Sequence, residues 1–152
     1  MRIWVDADAC PKVIKEVLFR AAERCRVETT LFANHAVRVP PSRYLSSVQV
    51  PGGFDVADNV ILERMEPGDL VVTQDIPLAD AVIGRGGTAL NPRGTLYTVE
   101  NIKDHRARRD LMEELRSGGM IGGGPSALAR QDIQAFANAL DRFLARNPPR
   151  AS

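Results

Sequence analysis

A chain of 152 residues with 44% hydrophobic and 26% charged side chains is long enough to bury a core as one domain without disulfides or a structural metal. Its formal net charge of +1 excludes a protein that works through bulk charge alone, and no apolar run reaches the length of a bilayer span. The two cysteines, Cys10 and Cys25, fit no zinc spacing and no disulfide framework, so they are expected as free thiols in a soluble, cytoplasmic protein.

Ile3 to Val5 is continuously apolar rather than alternating, which predicts a strand over residues 2–6 at the centre of a parallel sheet. Pro11 suits a first helical turn, and Val13, Ile14, Val17, Leu18, Ala21 and Ala22 recur at helical spacing, so a helix runs from there to about Arg24. Residues 27–33 are rich in β-branched and apolar side chains and read as a second strand. Residues 48–50 read as a short third, after an irregular segment containing Pro40 and Pro41.

Past Gly52-Gly53, the stripe Val56, Val60, Ile61 and Met65 predicts a helix over residues 55–65 that Pro67-Gly68 stops. Residues 69–73 form another buried strand, and Pro77 opens a helix through Ile83 that Gly86-Gly87 ends. Residues 88–90 make a fifth strand. This alternation predicts an α/β, Rossmann-like three-layer fold with a central parallel sheet.

A charged helix follows over residues 100–117, then the glycine-rich stretch 118–124. That stretch lacks the Lys-Ser/Thr ending of a Walker motif and follows a helix, so a hinge is expected rather than a phosphate loop. The last helix, about residues 126–146, carries Leu128, Ile133, Phe136, Leu140, Phe143 and Leu144 on one stripe and should pack on the sheet. One domain over 1–152 is expected, with a C-terminal helical extension over about 100–146.

Ligands of open α/β sheets bind outside the carboxyl ends of the strands, where strand order reverses. Asp6 and Asp8 lie at that end of the first strand and Asp75 just past the strand ending at Thr73. If these strands are neighbours the three acids converge, and Asp58 and Asp80 complete the rim. Two carboxylates about 4 Å apart repel by roughly 4 kcal/mol at an effective dielectric near 20. A cluster therefore needs protons or a hard cation, and oxygen ligands suit magnesium or manganese. Helix capping is an equally good account of Asp55 and of Asp75 taken singly, but a poor one for Asp6 and Asp8 together.

The stretches Ile3-Trp4-Val5-Asp6-Ala7-Asp8-Ala9-Cys10-Pro11, Val50-Pro51-Gly52-Gly53-Phe54-Asp55-Val56-Ala57-Asp58-Asn59, Thr73-Gln74-Asp75-Ile76-Pro77-Leu78-Ala79 and Ala89-Leu90-Asn91-Pro92-Arg93-Gly94 resemble the YaiI/YqxD family of bacterial proteins. That family is in turn similar to the PIN-like nuclease superfamily, whose acids stand at the end of the first strand, in a central helix and after a Thr-x-Asp strand. The resemblance matches Asp6, Asp58 and Asp75 to those places, and Asp8 and Asp80 less closely.

The resemblance implies a fold and a metal site but supplies no activity; the clustered acids themselves lead to the expectation of phosphodiester hydrolysis, with Asp6, Asp58 and Asp75 holding one or two magnesium or manganese ions and Asp8 and Asp80 as outer ligands. A nucleic-acid substrate, RNA ahead of DNA, would need phosphate partners. His105-Arg106-Ala107-Arg108-Arg109 and the loop residues Asn34, His35, Arg38 and Arg43 are the candidates. A solvated helix face is the readier account of the first cluster. Two rival readings stand beside this one. The first is a haloacid-dehalogenase-type phosphatase with Asp6 as nucleophile and Asp8 as acid, weakened by Cys10 where a Thr is expected. The second is a non-catalytic module that binds a metal or ligand in the same crevice. Cys10 is expected as a packed side chain rather than a nucleophile.

Overall fold

In the computed structural model, which describes residues 1–53, 55–119 and 127–149, six strands form one sheet in the order β3-β2-β1-β4-β5-β6. They are β1 (Ile3–Asp6), β2 (Thr29–Ala33), β3 (Leu45–Gln49), β4 (Leu70–Val72), β5 (Thr88–Leu90) and β6 (Leu96–Tyr97). The helices are α1 (Lys12–Cys25), α2 (Val56–Arg64), α3 (Ile76–Gly84), α4 (Ile102–Ser117) and α5 (Arg130–Arg146). All pairings are parallel except β5 with β6. This is the α/β three-layer architecture that the alternating pattern predicts.

The apolar run of β1 is continuous because both of its faces are covered. Ile3 and Val5 join the core shared with α1 and α5, whereas Trp4 joins the core beneath α2 and α3. Leu31 and Ala33 on β2, and Leu70 and Val72 on β4, repeat the first orientation; Phe32 and Val71 repeat the second. Trp4 stacks on Phe32 with ring centroids 6.0 Å apart. Each large side chain buried in this way contributes about 1.5–3 kcal/mol.

Beneath the sheet, the buried Asp69 accepts hydrogen bonds from the Arg2 and Glu66 backbone N–H groups and from Trp4 Nε1, each at 2.9 Å. This carboxylate anchors the start of β4 to the start of β1.

Three features differ from the sequence expectation. β3 spans Leu45–Gln49 rather than residues 48–50. Ser46 and Ser47 face solvent on this edge strand, so its first half carries no apolar signal. β6 was not foreseen and makes the sheet mixed rather than wholly parallel. It is held by a turn in which Asn91 Oδ1 accepts from the Arg93 backbone and the Gly94 N–H donates to the Asn91 carbonyl. Gly94 has φ +94°, and a Cβ there would lie 2.6 Å from the Ala135 carbonyl carbon of α5, so only glycine fits. Finally, α5 begins at Arg130; the hinge expected at 118–124 lies, beyond Gly119, outside the described residues.

α5 packs on the sheet as expected, with Phe136 and Leu140 fully buried in the α1 core. α4 packs against α3 and leaves Leu111 and Met112 exposed. Among the described residues, no helix is long and apolar enough to cross a membrane.

Candidate functional site

β1 and β4 are neighbours, and strand order reverses between them. Their carboxyl ends therefore open the crevice in which such folds bind ligands. Asp6 closes β1 and Thr73 follows β4. The Thr73 hydroxyl donates to Asp6 Oδ2 at 2.9 Å and accepts from the Asp75 N–H at 3.0 Å, fastening the two strand ends together.

Asp75 is the N-cap of α3, its Oδ1 accepting from the Leu78 N–H at 3.0 Å. Capping and membership of the acidic crevice are thus both true of Asp75. Asp55 stands at the N-cap position of α2, yet its side chain caps nothing and its backbone is left-handed at φ 62°. Its carboxylate instead joins Asp58 and Asp75: one oxygen from each of the three lies within 4.8 Å of the others.

Electrostatics binds Asp6 into the same group. Asp58 is pushed up to about 7, first by burial, then by the charges of Asp75, Asp6 and Asp55 and a hydrogen bond with Asp75. Asp6 is also raised, chiefly by burial, with the Thr73 hydrogen bond opposing and Asp75 and Asp8 adding to the rise. Three carboxyl groups thus converge, and Asp6, outside that set of three, acts on Asp58 through its charge, so the pressure among them is toward protons or a cation. The donors are all oxygens, the set that suits magnesium or manganese rather than a soft metal.

The other acids that the sequence singles out are engaged elsewhere. Both oxygens of Asp8 accept from the Asn34 N–H, at 3.1 and 3.0 Å, and Oδ1 lies 3.0 Å from His35 Nδ1. Asp8 therefore tethers the loop after β2, at the edge of the crevice. Asp80 pairs with Arg106 at 2.6 Å and Lys103 at 3.2 Å, fastening α3 to α4, and those cations hold its carboxyl below the usual range.

The candidate phosphate partners are dispersed. Arg38 lies on the loop tethered by Asp8, and Arg108 is exposed on α4. Arg106 is committed to Asp80, and Arg109 to Asp110 and Glu113. Arg43 precedes β3 and sits over the Tyr44 ring at the amino ends of the strands, the far end from the acids. That far end also holds a cavity of about 740 Å³, ringed by Arg2, Arg26, Arg43 and Arg64 together with Glu28 and Glu66. The acidic crevice is nevertheless the stronger site, because it combines converging donors with a strongly shifted carboxyl.

Cys10 is buried in the α1 core, and burial pushes its thiol up to about 12 against the opposing charge of Lys15. It is a packed side chain, as expected, and both cysteines are free thiols. The residue that sequence reasoning left outside the acid set is Asp55. Its signal was the presence of a second acid, Asp58, only three residues further on.

Residues 4–146 match the family described as Uncharacterized BCR, YaiI/YqxD family. The chain is 62% identical over 148 residues to a UPF0178 protein of Shewanella amazonensis, covering 97% of this chain and 99% of that one. It is 62% identical over 148 residues to a UPF0178 protein of Pseudoalteromonas translucida, covering 97% and 98% of the two chains. Against a UPF0178 protein of Janthinobacterium the identity is 59% over 146 residues, covering 96% and 97%.

Proposed function

This chain belongs to the YaiI/YqxD family, and with that as premise we propose that it is a divalent-metal-dependent nuclease acting on RNA ahead of DNA. The observation that carries this reading is the meeting of Asp55, Asp58 and Asp75 within 4.8 Å, with Asp6 coupled to them, at the reversal of strand order. Asp6, Asp58 and Asp75 would hold magnesium or manganese, with Asp55 as a further donor. Bound there, the cation would supply an activated water and neutralise charge on the phosphoryl oxygens, so that no Ser or His nucleophile is needed.

The chain's own residues prepare for this. Thr73 fixes Asp6 through its hydroxyl, and the Leu78 N–H fixes one oxygen of Asp75, leaving the other available to the crevice. Asp58, pushed up to about 7, holds a proton near neutrality that a bound cation would displace. Asp8 and Asp80 support neighbouring elements through their own partners rather than reaching into this set. The phosphatase alternative needs Asp8 to hand a proton to a leaving group, and the engagement of its carboxylate by Asn34 and His35 speaks against that role.

The test is a calorimetric manganese titration alongside cleavage of labelled RNA and DNA strands, for the parent protein and for Asp6→Asn and Asp75→Asn. The parent binds manganese and cleaves; each variant loses at least about tenfold in affinity, the loss of at least 1.4 kcal/mol expected for a metal ligand, together with cleavage. Cleavage undiminished in both variants overturns the assignment. Manganese binding without turnover of either strand would leave the non-catalytic module as the better reading.

A further inference from the structure

Beside the acids lies a second pocket, of about 250 Å³, between α1 and the loop after β2. Its wall carries Lys12, Lys15 and Arg38, and among the described residues none of these three side chains makes an ion pair or hydrogen bond. Glu16 is the one carboxylate on the wall, so three cations against one anion leave a surplus of two positive charges. Phe19 and Val37, both half-buried and packed against the main core, supply an apolar surface.

The pocket adjoins the acidic crevice through Asp8. That carboxylate holds His35, which lines the pocket, at 3.0 Å, and its charge reaches Asp6 on the other side. Cations left unpaired next to an apolar wall, beside a crevice read as a phosphodiester site, suit a nucleotide's sugar-phosphate and base. The phosphate answers the lysines and arginine; the sugar or base answers Phe19 and Val37. A duplex keeps its bases stacked and paired, whereas a single strand can turn one nucleotide into a pocket of this size.

We propose that Lys12, Lys15, Arg38, Phe19 and Val37 form a subsite for the nucleotide adjoining the scissile phosphodiester of a single-stranded nucleic acid. This rests on reading the acidic crevice as a phosphodiester site. It assigns Arg38 a definite partner and adds Lys12 and Lys15, which lie on α1 and escape any reading of basic runs.

Fluorescence anisotropy with short fluorescein-labelled RNA, DNA and duplex DNA, at low salt with EDTA, separates the subsite from the metal. The variant carrying Lys12→Gln, Lys15→Gln and Arg38→Gln binds single strands at least about tenfold more weakly than the parent. Its dependence of log affinity on log salt is shallower by about 0.7, the loss of the one phosphate contact that a single nucleotide offers on a single strand. The better of the RNA and DNA probes identifies the sugar. Binding unchanged in the Gln variant, or a parent preference for duplex, overturns the proposal.

A manganese titration of the same Gln variant, with its circular dichroism, checks that it is folded and keeps its acids. If manganese binding persists while strand binding is also unchanged, the subsite alone fails. If strand binding falls in the Gln variant but Asp75→Asn still binds manganese normally, the metal reading fails and the subsite stands.

Discussion

Asp58→Asn tests the crowding of the acids directly, because it removes one charge and keeps the shape of the side chain. In the folded protein Asp58 titrates at about 7 against an ordinary 3.8. Its raised pKa means that stability is fully present below the ordinary value and is lost as pH rises toward 7, since the unfolded chain gives up the proton first. At face value a shift of about three units is worth about 4 kcal/mol. Asp58 is half-exposed, however, so solvent screening reduces the figure to about 1–2 kcal/mol. For a domain of this size that is a rise of about 3–6 °C in Tm for the Asn variant.

Thermal unfolding in EDTA should therefore show parent and variant melting together near about pH 4, diverging as pH rises, and separated by the full amount at about pH 8. Asp6 is raised in the same direction but is present in both proteins, so its contribution largely cancels. A Tm difference that does not change with pH, or an Asn variant less stable than the parent at high pH, would refute the reasoning.

Two further substitutions probe the frame that holds the site. Gly94→Ala forces a Cβ onto the α5 backbone at a left-handed φ, and should cost about 2–4 kcal/mol; urea unfolding that shows no loss would count against the packing described. Asp69→Leu leaves three N–H donors without their acceptor and should lower Tm by about 6–12 °C, corresponding to about 3 kcal/mol, with a shift in the emission of Trp4, the only tryptophan. A Tm within about 2 °C of the parent would mean that water replaces the carboxylate there.

The central strands were legible because burial on both faces leaves a simple trace: Ile3, Trp4 and Val5 are all apolar although they point into two different cores. The edges were not. Exposed Ser46 and Ser47 carry no such trace in β3, and the two-residue β6 depends on how the Gly94 turn fits α5. In the site, Asp6 and Asp75 followed from the strand-end rule together with the pairing of β1 and β4. Asp55 did not, because a residue just before a helix already has an explanation as a cap, and a left-handed backbone at a non-glycine residue leaves no mark in sequence. Asp80 was assigned to the rim because its pairing with Lys103 and Arg106 depends on the docking of α4 against α3, a tertiary fact.

The seam between β1 and β4 joins Ile3 to Leu70, two positions separated by nearly half the chain. During synthesis, β1 can gain β2 early, but its other edge stays bare until β4 has emerged. An unpaired apolar edge is a template for pairing with other chains, so this interval is the hazardous one for a nascent molecule. The acids meet only when that seam closes. Their mutual repulsion therefore burdens a later stage of assembly rather than the first, and a bound cation would act by holding the closed seam shut, slowing unfolding more than it speeds folding.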